Sequence, residues 1–224
     1  MTKKSDKNNS FIDALTQDLR PVKPLLATNL QTIIWLLSAV AIVTLMVFIH
    51  GLRFDVGEKI NNINFLFESS ALMLMALIIA YAGFRLGVPD ASRRHRLWGA
   101  LIYGGLIFWI VMFGYNIYHG FEGAFLHTHD HQAHSHYGKF CSATIVASAL
   151  AAAAVMFFML RRSFALRPIL TGLAVGLTSS TIAYVGGMYF CSIEGGLHIA
   201  LWHMLPVLLI SLILSFFGQA ILKK

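Results

Sequence analysis

Residues Ser142–Leu160 read SATIVASALAAAAVMFFML, a run with no ionisable side chain, closed at its far end by Arg161 and Arg162. A helix needs roughly 20 apolar residues to cross the hydrocarbon core of a bilayer, and this run is long enough. On its near side lies His119–Cys141, HGFEGAFLHTHDHQAHSHYGKFC, with six of the 10 histidines and one of the 2 cysteines of the chain. Before that segment a second apolar run reaches back to Trp98. Groups able to meet a metal ion or an oxidant are thus concentrated in a link between two candidate spans.

The same criterion applied along the chain gives six windows, about Leu30–Ile49, Phe65–Phe84, Trp98–Tyr118, Ser142–Leu160, Pro168–Phe190 and Ile199–Ile221. Composition agrees. With 57% hydrophobic and 12% charged residues and a mean hydropathy of +0.69, the chain is far more apolar than a soluble domain. Its runs are continuous, unlike the alternating stretches of about ten residues in a barrel. The expected fold is all-α, a polytopic membrane protein with six transmembrane helices. The expected domains are a leader, 1–28, and a transmembrane domain, 29–222, with outer loops at about 50–64, 119–141 and 191–198. The first apolar run begins behind a polar leader, which is not the pattern of a cleavable signal peptide.

Basic residues translocate poorly and mark cytoplasmic loops. With the N-terminus inside, the inner face carries Lys3, Lys4, Lys7, Arg20, Lys23, Arg85, Arg93, Arg94, Arg96, Arg161, Arg162, Arg167, Lys223 and Lys224. Only Arg53, Lys59 and Lys139 of the 17 fall outside. Both termini are then cytoplasmic, and topology accounts for the formal charge of +7. Direct nucleic-acid binding is not expected, because the basic groups are short, scattered and adjacent to spans.

The leader opens with a polar, lysine-rich stretch of disordered composition. Ser10 then reads as an N-cap with Asp13 three residues on, and Phe11, Ile12, Leu15 and Leu19 share one face of a short helix that Pro21 and Pro24 end. Two roles are open: an interfacial helix on the inner leaflet, or a docking helix for a cytoplasmic partner. The first outer loop offers no motif, and Glu68 sits just inside the second span, able to snorkel outward or pair with a loop cation.

In an extended segment, His127, His129 and His131 would lie on one side, with Asp130, His134 and His136 near enough to complete a coordination sphere. Neutral imidazole suits Zn, Cu and Ni rather than Mg or Ca. The competing reading is a solvated loop, since no His-Glu-x-x-His arrangement accompanies the cluster. An unperturbed imidazole titrates near ~6.5, so mild acid would release such a metal. Cys141 begins the fourth span and Cys191 ends the fifth, which brings both to the outer surface at similar depth. An oxidising compartment allows a disulfide there, worth up to ~4 kcal/mol by chain entropy and less between helices already confined by a bilayer. Two unrelated packing cysteines are the alternative. His198 and His203 are five apart and do not share an α-helical face well; His203 makes either an interhelical hydrogen bond or a ligand to a site with Glu194 and Cys191. Gly172, Gly176, Gly186 and Gly187 pack spans within one chain or between two copies.

The leader Leu15–Pro24, the pair Cys141 and Cys191, the turn from Arg161-Arg162 to Arg167-Pro168, and the segment Leu197-His198 to Trp202-His203 and Pro206 together resemble the NrsF-like membrane anti-sigma factors. The resemblance covers nearly the whole chain and rests on order and spacing rather than one motif. It implies a six-helix protein of the bacterial inner membrane that holds an extracytoplasmic-function sigma factor inactive, with Cys141 and Cys191 sensing heavy-metal or oxidative stress. The leader, through Phe11, Leu15, Leu19 and Arg20, would hold the sigma factor. The histidine-rich segment departs from the family pattern and suggests that a transient Zn, Cu or other heavy-metal ion is read by histidine as well as thiol.

A transition-metal transporter is the competing class, although the spans offer few mid-membrane ligands beyond Asn116 and His203. No nucleophile triad, phosphate loop or paired catalytic carboxylate is present, so an enzyme is not expected.

Overall fold

The computed structural model describes residues 26–88, 95–124, 131–163 and 165–222. In chain order its helices are α1 (Thr28–His50), α2 (Val56–Lys59), α3 (Ile63–Leu86), α4 (His95–Ala124), α5 (His131–Leu160), α6 (Pro168–Phe190), α7 (Gly196–His198), a π-helical turn (Ile199–Met204) and α8 (Leu205–Leu222). Six helical segments are long and apolar enough to cross a membrane, the last running from Gly196 through the π-turn to Leu222. No strand occurs among the described residues. The all-α, six-span expectation is met.

Local sequence explains where these helices begin and end. The Asn62 side chain accepts from the N–H groups of Asn64 and Phe65 and opens α3. Pro168, with no N–H to lose, stands in the first turn of α6. Gly51 adopts φ +88° and stops α1. Consecutive spans run in opposite directions, so one end of the bundle gathers His50, the α2 loop, Cys141 and residues 191–196. The other gathers Arg85, Arg161, Arg162 and Arg167.

α6 is the central element. Of its most apolar window 94% is buried, against 28% in α1 and α3 and 22% in α4, which turn exposed leucines, isoleucines and phenylalanines outward. Its small residues allow this position. A Cβ on Gly172 would collide with the backbone of Leu214 and Gly218, one on Gly176 with Ser211, and one on Gly218 with Pro168. α6 and α8 therefore meet backbone to backbone. Gly186 makes the corresponding room for Val43 of α1, and Gly187 for His203. These glycines pack spans within the one chain.

Several polar groups between the helices have partners. Thr178 Oγ1 donates to Ala76 O at 2.8 Å, Ser215 Oγ to Ile169 O at 3.1 Å, Trp109 Nε1 to Thr181 Oγ1 at 3.0 Å and Trp35 Nε1 to Ala152 O at 3.1 Å. Without water nearby, an unpaired donor would cost about 1–3 kcal/mol. Each bond also ties two spans together.

The 119–141 link is shorter than expected. α4 continues to Ala124 and α5 starts at His131, so helix occupies most of that segment. Apolar length marks only the lipid-crossing part of a helix, and polar turns extend it into the water. The 50–64 loop likewise contains α2, and α3 starts at Ile63.

Leu in place of Gly176 should lower the unfolding transition of the detergent-solubilised protein by the equivalent of about 1–3 kcal/mol, the usual cost of overpacking. Phe216→Leu on the exposed face should leave it unchanged. Equal transitions in the two variants would remove the α6–α8 glycine contact from this account.

Candidate functional site

Cys191 closes α6. Its N–H donates to Gly187 O at 3.0 Å while its own backbone turns extended, with φ −93° and ψ 123°. Its thiol lies beside Cys141, with 3.4 Å between the sulfurs. Both cysteines are free and buried. A disulfide bond measures about 2.05 Å, so the two sulfurs are in contact without being bonded. Two cysteines 50 residues apart in sequence meet because α5 and α6 are antiparallel neighbours.

The two histidines arrive by a route that α-helical periodicity does not describe. At 3.6 residues per turn, positions five apart are about 140° from one another, hence the expectation that His198 and His203 point apart. That expectation is corrected. Between them the helix widens into the π-turn, where the Leu205 N–H donates to Ala200 O five residues back. Pro206 has no N–H to offer the Trp202 carbonyl, so the α-ladder is already interrupted at this point. The wider turn stacks residues five apart, and the His198 and His203 ring centroids are 5.3 Å from each other.

His198 Nε2 is 3.4 Å from Cys191 Sγ. One ligand atom from each of Cys141, Cys191, His198 and His203 lies within 4.8 Å of the others, and all four residues are buried. The Cys191 thiol is drawn well below the ordinary thiol range, first by the hydrogen bond from Cys141 and then by His198 and His203, against the opposing effect of burial. Thiolate character is what metal ligation and thiol oxidation require.

A charged clamp holds the Cys191–Gly195 linker in place. Arg53 Nε and Nη2 donate to the Asp55 carboxylate at 2.6 and 2.8 Å, Nη2 also donates to Glu194 Oε1 at 2.8 Å, and Nη1 donates to Met188 O at 3.2 Å. Lys59 pairs with the same Glu194 oxygen. Arg53 keeps the Asp55 carboxyl below the usual range, and Lys59 followed by Arg53 does the same for Glu194. Between this clamp and the cluster lies a cavity of about 300 Å³, lined by Glu68, Tyr184, Cys191, Glu194 and His203 among others.

Not every expected residue joins the site. Glu194 serves the clamp rather than the cluster. His131, His134 and His136 belong to α5, where the backbone is helical and not extended; their side chains, with His127, His129, Phe11, Leu15, Leu19 and Arg20, lie outside the described residues. Arg53 was not singled out from its balanced loop. The only signal was a basic group among nearby acids, which many solvated loops share.

The fold and site define a multi-pass helical membrane protein with a buried thiol–imidazole cluster at one end of its bundle. Residues 15–223 match the family NrsF, negative regulator of sigma F. The chain belongs to that family and is a negative regulator of a sigma factor. No curated protein and no solved structure matches it.

The clamp carries a pH signature. Its carboxyls are held down in the folded state, so their stabilisation is complete above the unfolded values, about 4. It is lost as pH falls through the depressed folded values. Thermal stability should decline in that acid window, and Arg53→Gln should flatten the decline. The same acid profile in both proteins would show that the clamp contributes nothing to it.

Proposed function

We propose that the protein resides in the bacterial inner membrane with both termini in the cytoplasm, sequesters an extracytoplasmic-function sigma factor there, and releases it when its outer cysteine pair meets heavy-metal or oxidative stress. Family membership over residues 15–223 supports the regulatory part. The observation that carries the sensing part is the 3.4 Å approach of Cys141 to Cys191, since thiols at this distance need little movement to share an ion or to bond. In the oxidative case the two thiols give up two protons and two electrons to hydrogen peroxide, forming the disulfide and two waters.

The path inward begins at the cysteines. Phe140 stacks edge-on against His50 at 4.6 Å, and α1 is tied again to α5 through Trp35 and Ala152. α1 follows directly on the leader that carries Phe11, Leu15, Leu19 and Arg20. A change in spacing between α5 and α6 is thereby felt by the helix that holds the leader. Coupling of about 1–3 kcal/mol would change sigma affinity 5- to 150-fold.

Tagged full-length protein in detergent should retain an extracytoplasmic-function sigma factor, and a chain lacking residues 1–25 should not. Retention by both would move the contact to another cytoplasmic segment, and retention by neither would defeat the reading. In cells, Cys141→Ser and Cys191→Ser should each alter the stress response of a sigma-dependent reporter while the protein still reaches the membrane. An unchanged response in both variants would take the cysteines out of the mechanism.

A further inference from the structure

We infer that Cys141, Cys191, His198 and His203 form a closed four-ligand centre for one divalent ion of the zinc class, and that the π-turn between the histidines assembles it. The inference deepens the sensing role proposed above by naming the ligand and its coordination.

The donor set comes first. Two thiols and two imidazoles are the ligands of tetrahedral structural zinc sites, and a borderline-soft ion that prefers S and N over O is the one they select. All four donors come from the protein, which leaves no open position for a substrate. Geometry comes next. Two sulfurs each about 2.3 Å from a tetrahedral ion stand about 3.8 Å apart. The observed 3.4 Å is a few tenths short of that, a gap that side-chain rotation closes. The four donor atoms lie within 4.8 Å of one another, against about 3.3–3.8 Å for the edges of such a tetrahedron, so the ligands close in on the ion by at most about 1.5 Å.

Burial sets the environment of the two rings. His198 Nδ1 and His203 Nε2 are buried ring nitrogens without a hydrogen-bond partner, and their residues are only 7% and 4% exposed. An imidazole at a helix interface normally satisfies both nitrogens. His198 turns Nε2 toward the Cys191 sulfur, so an ion at the centre leaves its Nδ1 unpaired, and the cavity lined by His203 and Cys191 has room for an ion to arrive. Gly187 is part of the same construction. Any side chain there would press on the His203 ring, because a Cβ would already lie 3.1 Å from Nδ1.

The π-turn ties the centre to the fold. In an α-helical register His198 and His203 would diverge and at most one could reach the sulfurs. An ion held by both therefore favours the wider turn. Ion and disulfide also exclude one another, since both use the same sulfurs. When diamide oxidises the pair, the two sulfurs give two electrons to diamide, which takes two protons from solvent and becomes the hydrazine, and the ion leaves.

The test uses reduced, full-length protein in detergent. Elemental analysis after zinc loading should find one ion per chain, and cobalt in its place should show thiolate charge-transfer and the intense d–d bands of tetrahedral coordination. Cys141→Ser, Cys191→Ser, His198→Ala and His203→Ala should each weaken zinc binding by more than the about 10- to 100-fold typical of losing an outer partner. Replacing His127, His129, His131, His134 and His136 together by Ala should leave it intact. Because a ligand variant can misfold, the unaltered chain gives a second reading: bound zinc should protect both cysteines from maleimide, and diamide should release one zinc per disulfide formed. Absence of zinc, octahedral cobalt, unprotected cysteines, or binding that follows the histidine-rich segment instead would overturn the inference. A chain that holds zinc but no sigma factor would defeat only the regulator reading, and one that holds the sigma factor but no zinc only the centre.

Discussion

The close approach of α6 and α8 is the constraint on which the rest depends. With Gly172, Gly176 and Gly218 at the contact, backbone meets backbone, and every neighbouring Cβ would intrude if either helix slid. Ridges of larger side chains tolerate small slips, but a seam of glycines against carbonyls does not. α8 is therefore held in register below Pro206. Cys191, at the end of α6, is held by the same seam from the other side.

That fixed register gives the π-turn its meaning. The chain must leave α6 at Cys191, cross the extended linker to Gly195, and join α8 at a phase already set by the glycines. Ile199–Met204 absorbs the mismatch by taking a wider turn, at the place where Pro206 removes an α-helical bond anyway. The same adjustment brings His203 beneath His198. Packing at one end of the span and ligand geometry at the other are thus solved by a single irregularity.

Much of this was legible in advance, for physical reasons. Span number follows from apolar length, which the bilayer enforces, so all six windows appeared in Ser142–Leu160 and its counterparts. The meeting of Cys141 and Cys191 followed from topology, because helix ends on the same side of a bundle share a depth. His198 and His203 did not pair on paper, because periodicity assumes the α-helix and a π-turn has no marker stronger than a nearby proline. Arg53 was hidden for another reason: a clamp is a property of three segments together, and its loop alone looks like any balanced surface loop. The glycines showed that close packing would occur but not with which partner, since only the fold decides whether a flat face meets its own chain.

The clamp and the cluster are best understood as one device with two kinds of bond. Arg53 reaches from the α1–α3 connection to Asp55, to Glu194 in the linker and to the Met188 carbonyl in α6. The linker is thus anchored by charge at Glu194 and by the helix at Cys191, only three residues earlier. Between such anchors the Cys191 backbone has little freedom, while its side chain can still rotate toward Cys141. α5 is in turn packed against α1 and α6 in one hydrophobic cluster and is joined to α1 by the Trp35 indole bond. The cysteine pair therefore sits where two anchored segments, the end of α6 and the linker, meet α5.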